Sequence, residues 1–353
     1  MFFPDSTIST SAQLTIGEET NYTHSYPKVW GRNIRIRWLP YQDDLRIKTT
    51  TNQFNIYNET TYFEGSLTYN PKGIWGSGTV DLTLATTGAK RFDFRQYDFS
   101  SDTASFNIRV LNSQDWALTT DNVRCQVDMR QRYAHLISND PLAITRIPTH
   151  RYMAQINEFK WWMDRHELNL IAGQTFAPSG EGQKYGFKDE PLTGARYIST
   201  DKAQDSLSFV SPSVMLNYEK KILDASRVKY VDVADARIFP PNEQIVVGPD
   251  GRMMTISKAR IMANRETRFH EIYEATVNIS GRYSYTGSGK YDYIDENNKR
   301  QTILFSEISV DSTRQSVASG SIAEPDSFTL NPFFLFQGDV QWAAARKYLQ
   351  FEG

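Results

Sequence analysis

Tyr230-Val231-Asp232-Val233-Ala234-Asp235-Ala236-Arg237-Ile238 opens a stretch, residues 230–293, through which one short phrase keeps returning. A small Ala is followed, two or three residues on, by a β-branched apolar residue with polar residues between. The copies are Ala225-Ser226-Arg227-Val228 just upstream, then Ala236-Arg237-Ile238, Ala259-Arg260-Ile261 and Ala275-Thr276-Val277. This is the alternation of a half-buried strand. Turn signals such as Pro240-Pro241-Asn242 and Gly248-Pro249-Asp250-Gly251 separate the copies, so the region is predicted to form short strands side by side in a quasi-repeating stack.

Composition agrees. Aromatic residues make up 13% of the 353 residues, and with abundant Thr, Ser and Val they favour sheet over helix. The net charge of −2, with Lys and Arg scattered, gives no footprint for nucleic acid. No run approaches the roughly 18 apolar residues of a membrane helix. Met1-Phe2-Phe3-Pro4-Asp5 lacks the basic start and apolar core of a signal peptide. The single cysteine, Cys125, alternates with Val123 and Val127 and is expected in the core. The expected fold is all-β, with stacked antiparallel strands in a solenoid, folded-sheet or jellyroll arrangement. Two β-units are expected, residues 1–172 and 194–353, on either side of a Gly- and Pro-rich loop or linker at 173–193.

Working outward, Ile34, Ile36 and Trp38 alternate with Asn33, Arg35 and Arg37, a half-buried strand with a basic outer face that is read as solvated. Asn70-Pro71-Lys72-Gly73 is a tight turn, and Gly76-Ser77-Gly78 opens a strand containing Val80, Leu82 and Leu84. A second triplet, Gly287-Ser288-Gly289, precedes Asp311 at nearly the spacing that separates Gly76 from Asp102, suggesting a duplicated β-unit. Glycines of this kind commonly mark a bulge or a close backbone approach. Of the neighbours Trp161 and Trp162, a strand places one in the core and the other toward solvent. Residues 340–348 have a helical propensity that the surrounding strands are expected to override.

Catalytic signatures are absent. His24, His135, His150, His166 and His270 show no metal-ligand spacing, no cofactor motif is present, and Phe209-Val210-Ser211-Pro212-Ser213 lacks the glycines of a nucleophile elbow. Asp232 and Asp235 are read as turn-forming or solvated carboxylates. Asn21-Tyr22-Thr23, Asn58-Glu59-Thr60 and Asn278-Ile279-Ser280 match the N-glycosylation pattern.

Tyr69-Asn70-Pro71-Lys72-Gly73 with Gly76-Ser77-Gly78, then Phe99-Ser100-Ser101-Asp102, Gln204-Asp205-Ser206-Leu207-Ser208-Phe209, Tyr230 to Ala236 and Tyr291-Asp292-Tyr293-Ile294-Asp295 resemble the very long, uncharacterised β-rich envelope proteins of Bacteroidota. The resemblance implies a cell-envelope location, periplasmic or outer-membrane associated, and brings no functional residues with it. A looser likeness in strand pattern is to the OstA-like β-jellyroll of lipopolysaccharide transport.

The expectation is therefore a non-enzymatic structural or ligand-binding β module of a large envelope protein, partnered by other parts of the same polypeptide, a lipid or a glycan. If a groove carries an amphipathic molecule, Val228, Ile238, Ile261, Val277 and Ile279 would line it; the same residues equally fill a sealed core. The alternative is a carbohydrate-binding or carbohydrate-active protein in which Trp75 and Trp161 or Trp162 stack on sugar faces. The chain reads as a piece of a longer protein. Phe333, Phe334, Phe336, Trp342, Leu349 and Phe351, crowded near its end, predict self-association through that edge.

Overall fold

The structure, a computed structural model, describes residues 7–20, 25–178 and 180–353. His24 and the Asn21-Tyr22-Thr23 pattern lie outside them. The described residues form strands joined by turns and single 3₁₀ turns, with no α-helix, and the pairings run antiparallel. Two compact units result. Among the described residues the first comprises those of 7–149, 155–171 and 215–221, the second those of 150–154, 172–214 and 222–353.

In the first unit, Val29–Leu39 pairs with Thr7–Ile16 on one side and with Asp44–Lys48 and Phe54–Ile56 on the other. Tyr62–Asn70, Gly73–Asp81, Ala85–Phe94, Asp98–Arg109 and Trp116–Asp128 then follow as a meander. The predicted turn closes the first hairpin: Asn70 pairs with Gly73, and the Lys72 N–H donates to Asn70 Oδ1 at 2.8 Å. Alternation sends Phe63, Phe92, Phe94, Phe99 and Phe106 inward, where Phe92 meets Phe99 edge-on at 5.7 Å.

The glycine triplets sit where strands bend. The ladder between Gly73–Asp81 and Ala85–Phe94 slips at Gly76/Gly78, and that between Ser284–Ile294 and Arg300–Val310 slips at Gly287/Gly289. Gly78 has φ +154° and faces Gly65 across the ladder, and any Cβ there would collide with the Glu64 carbonyl oxygen. The order that follows the triplets is not shared. Asp102 lies inside a strand two hairpins on, whereas Asp311 lies in the turn directly after the next strand. Two bulges of one kind, rather than a duplicated unit, account for the repeated letters.

The second unit contains the stretch from which the sequence was read. Val231–Val233, Ala236–Phe239, Ile256–Ala263, His270–Gly281, Ser284–Ile294, Arg300–Val310, Ser316–Ile322, Gly338–Ala343 and Gln350–Glu352 form one nine-stranded sheet in chain order. The bulges curl it into a half-barrel. The Ala phrases are neighbours in it, with Ile238 opposite Ile261 and Ala259 opposite Ala275. Their small side chains let adjacent strands carry large residues at the next inward position. The upstream copy belongs to a separate pair, Ile222–Ser226 with Gln244–Val247. Residues 340–348 begin as a strand, because Val340 and Trp342 are buried at period two between partners on both sides.

Around residue 330 the apolar residues divide. Trp342 is buried, and Phe351 packs on Tyr293, Phe328 and Phe336 at 5.2–6.1 Å. Phe333, Phe334 and Leu335 stand out at the tip of a small hairpin, 86%, 61% and 76% exposed. If the chain self-associates through this edge as expected, that tip is the apolar surface available for it. Replacing all three by Ser should abolish concentration-dependent light scattering; a wild-type chain that is monodisperse at high concentration would refute the expectation.

Candidate functional site

The Val29–Leu39 strand buries Val29, Gly31 and Ile34 and turns Trp30 and Arg32 outward. Across the ladder Trp30 faces Asn55, and Asn55 faces Tyr62 on the next strand. Three strands thus place an indole, a carboxamide and a phenol in one row on the outer face, while Phe54, Ile56 and Phe63 fill the core beneath.

The connection from Ile56 to Tyr62 completes the site. Tyr57 takes a left-handed backbone conformation, φ 70°, which is uncommon for a bulky residue. Two hydrogen bonds hold it there. Its N–H donates to the Lys28 carbonyl at 3.0 Å, and its hydroxyl donates to the Asp98 carbonyl at 2.7 Å. Burial, with Asp98 nearby, raises the Tyr57 pKa well above its ordinary value, so the hydroxyl stays a donor. Asn58 Oδ1 accepts from the Thr60 N–H and hydroxyl, both at 3.0 Å, and Asn55 Nδ2 donates to the Glu59 carbonyl at 3.2 Å.

Together Lys28, Trp30, Asn55, Tyr57, Asn58, Glu59 and Tyr62 line a cleft of about 530 Å³. The Arg32 guanidinium stands 5.1 Å from the Trp30 ring centroid. Aromatic faces beside amides, an ammonium and a carboxylate suit a ligand that is apolar on its faces and polar at its rim.

No family model, curated protein or solved structure matches this chain. Its chemistry must be read from the residues themselves.

The three tryptophans singled out from the sequence lie elsewhere. Trp161 is the inward member of its pair, fully buried edge-on to Phe106, with its Nε1–H donating to the Tyr218 hydroxyl at 3.0 Å. It presents no face to a sugar. Trp162 is half-buried against Tyr133, and Trp75 is half-buried with the Arg91 guanidinium 5.6 Å from its ring. Trp30, Tyr57 and Tyr62 were not singled out. Outward alternation marked Trp30, but Tyr57 joins it only through a left-handed turn that the sequence conceals, and Asn58-Glu59-Thr60 carried only a glycosylation pattern.

The cysteine and the described histidines are paired or sealed. Val228, Ile238, Ile261, Val277 and Ile279 are 0–5% exposed, so in this structure they are core. Burial pushes the Cys125 thiol up to about 11, which leaves it protonated and unreactive. His135 meets Glu158 at 2.9 Å, His166 meets Glu219 at 3.4 Å, and His270 is buried with Nε2 2.6 Å from the Arg346 carbonyl. His150 is also buried. Among the described residues no group of three His, Cys, Asp or Glu side chains could hold a metal ion.

Asp235 accepts from the Ser316 N–H and hydroxyl at 3.0 and 2.6 Å, and burial raises its pKa. Asp232 belongs to a charge network that ties Glu181 and Asp189 to the strands of the second unit. Arg237, 3% exposed, reaches Asp232 through two bonds of 2.8 and 3.2 Å and Asp189 at 2.9 Å. Arg268 meets Asp189 at 2.5 Å, and Arg265 meets Glu181 at 3.3 Å and Asp232 at 3.4 Å. Tyr230 lies 3.7 Å beneath the Arg237 guanidinium. Three arginines face three carboxylates, so the charges cancel within the cluster and its geometry is structural.

Proposed function

We propose that the chain is a non-enzymatic ligand-binding β module and that its ligand is a carbohydrate held in the Trp30, Tyr57 and Tyr62 cleft. The observation that carries the proposal is the convergence of three aromatic rings with the Asn55 and Asn58 amides in one cleft. A pyranose offers C–H faces that pack on aromatic rings and an equatorial rim of hydroxyls that amides and carboxylates bind. Hydrolysis of a glycosidic bond generally uses two carboxyl groups. Among the described lining residues Glu59 is the sole carboxylate, which favours binding over cleavage. The cell-envelope setting implied by the family resemblance would place such a module among glycans. Carriage of an amphipathic lipid is the weaker reading, because the five residues proposed to line its groove are sealed in the core.

A glycan array followed by tryptophan fluorescence titration tests the proposal. Trp30→Ala is expected to weaken binding at least tenfold, while Trp75→Ala and Trp162→Ala leave it unchanged. Failure to bind any glycan, or loss of binding with Trp75→Ala or Trp162→Ala instead, would refute the cleft assignment.

A further inference from the structure

The strand that supplies Trp30 carries a second feature on the same face. Arg35 and Arg37 are exposed on Val29–Leu39, and their cross-strand partners on Asp44–Lys48 are Lys48 and Arg46. Four cations therefore stand in a two-by-two block, each opposite a like charge, an arrangement that destabilises a sheet unless something neutralises it. The rows on either side bring no carboxylate. Arg37 and Arg35 face Ile8 and Thr10 of Thr7–Ile16, and Arg46 and Lys48 face Thr68 and Ser66 of Tyr62–Asn70. Arg46 has Asp44 at 3.5 Å; among the described residues no ion pair is formed by Arg35, Arg37 or Lys48. The nearest outward carboxylate along that last strand, Glu64, accepts from Gln53 at 3.2 Å.

A backbone irregularity joins this block to the cleft. Strict alternation would send Arg35 and Arg37 to the face opposite Trp30 and Arg32, since Arg35 is an odd three positions beyond Arg32. Asn33, at φ 55°, is an extra residue in the ladder: Gln13 pairs with Arg32, Ala12 with Ile34 and Thr10 with Arg35. The bulge resets the parity. Ile34 is then buried, and Trp30, Arg32, Arg35 and Arg37 share one outer face over about 23 Å at the usual strand rise. The cleft itself adds Lys28 at its other end.

We infer that the ligand is an acidic polysaccharide, one of whose sugar rings sits in the cleft while its carboxylate or sulfate groups continue over Arg32, Arg35 and Arg37, flanked by Arg46 and Lys48. The inference rests on the carbohydrate reading of the cleft and adds the class of glycan. A polymer fits better than a single anion, because the cations are spread along a strand rather than gathered around a point. A polysaccharide fits better than a nucleic acid, because the whole chain has a net charge of −2 and its Lys and Arg are otherwise scattered.

The test uses a galacturonate oligosaccharide, its carboxyl-reduced neutral counterpart of equal length, and oligothymidylate. The wild-type chain is expected to bind the galacturonate at least tenfold more tightly than the neutral sugar, with an advantage that falls as salt rises. Arg35→Gln/Arg37→Gln should remove that advantage and leave neutral-sugar binding intact, whereas Trp30→Ala should weaken both. Equal affinity for the two sugars, or an unchanged preference in the double variant, would overturn the inference and leave the cleft reading standing. If the arginine variant loses binding and Trp30→Ala does not, the cleft reading falls and with it the continuous site. Tighter binding of oligothymidylate than of either sugar, or no binding of any probe, overturns both.

Discussion

Arg237→Met is expected to lower the unfolding free energy of the second unit by about 3–5 kcal/mol, the usual cost of removing one partner from a buried ion pair. The guanidinium is 3% exposed and Asp189 6% exposed, so neither can turn to water when the other is lost. Burial works against both charges. The hydrogen bonds and charges of Arg268 and Arg237 outweigh it at Asp189 and hold that carboxyl below its ordinary value. Methionine keeps the aliphatic bulk of the side chain but gives up the guanidinium over Tyr230, so the ion pairs and that cation–ring contact are lost together.

The sign of the pH dependence follows from that depression. A carboxylate whose folded pKa lies below its unfolded value of about 3.9 stabilises the fold above that value and loses the contribution as pH falls through the folded one. The gap between wild type and Arg237→Met in urea unfolding should therefore be full at pH 7, begin to narrow below about pH 4 and close as pH falls through the depressed pKa of the folded Asp189. An equal gap at pH 7 and pH 3 would show that packing, not charge, is the source.

That network also shows what a sequence withholds. The strands of 230–293 were legible because period-two burial repeats locally, and Ala236, Ala259 and Ala275 are all buried as the pattern requires. The glycine triplets were legible as bulges for the same local reason. Segment 173–193 has no period of its own. Its order comes from Glu181 and Asp189 meeting arginines some fifty to eighty positions away, and from a two-residue ladder between Thr175–Phe176 and Leu192–Thr193. Contacts of that range leave no mark on spacing, so its composition alone spoke for a linker. The candidate cleft failed to show for a related reason. Trp30, Asn55 and Tyr62 share a row through the register of three strands, and register depends on which residues the sheet chooses to bury. The outward placement of Arg35 and Arg37 was legible from the alternation with Ile34 and Ile36; what the letters concealed is that Asn33 changes the parity of the strand and so brings Trp30 onto the same face.

Trp161→Ala is expected to cost about 3–5 kcal/mol, the range for emptying a buried indole site, while Trp162→Ala should change stability by less than about 1 kcal/mol. The two are neighbours of one residue type on the same strand, Glu158–Trp162, so helix propensity, solvent conditions and unfolded-state effects are closely matched between them. What differs is the face. Trp161 fills space against Phe106 and gives its only N–H to Tyr218, whose hydroxyl in turn donates to the Met163 carbonyl at 3.3 Å. Its removal leaves both a cavity and an acceptor without its donor, two penalties that add because the site is closed to water. Trp162 sheds contact with one face of Tyr133 and exposes little else. Chemical denaturation of the two variants beside wild type measures the difference directly. A reversed order, with Trp162→Ala the costlier, would mean that the strand is shifted by one residue, which would turn every side chain along it to the opposite face.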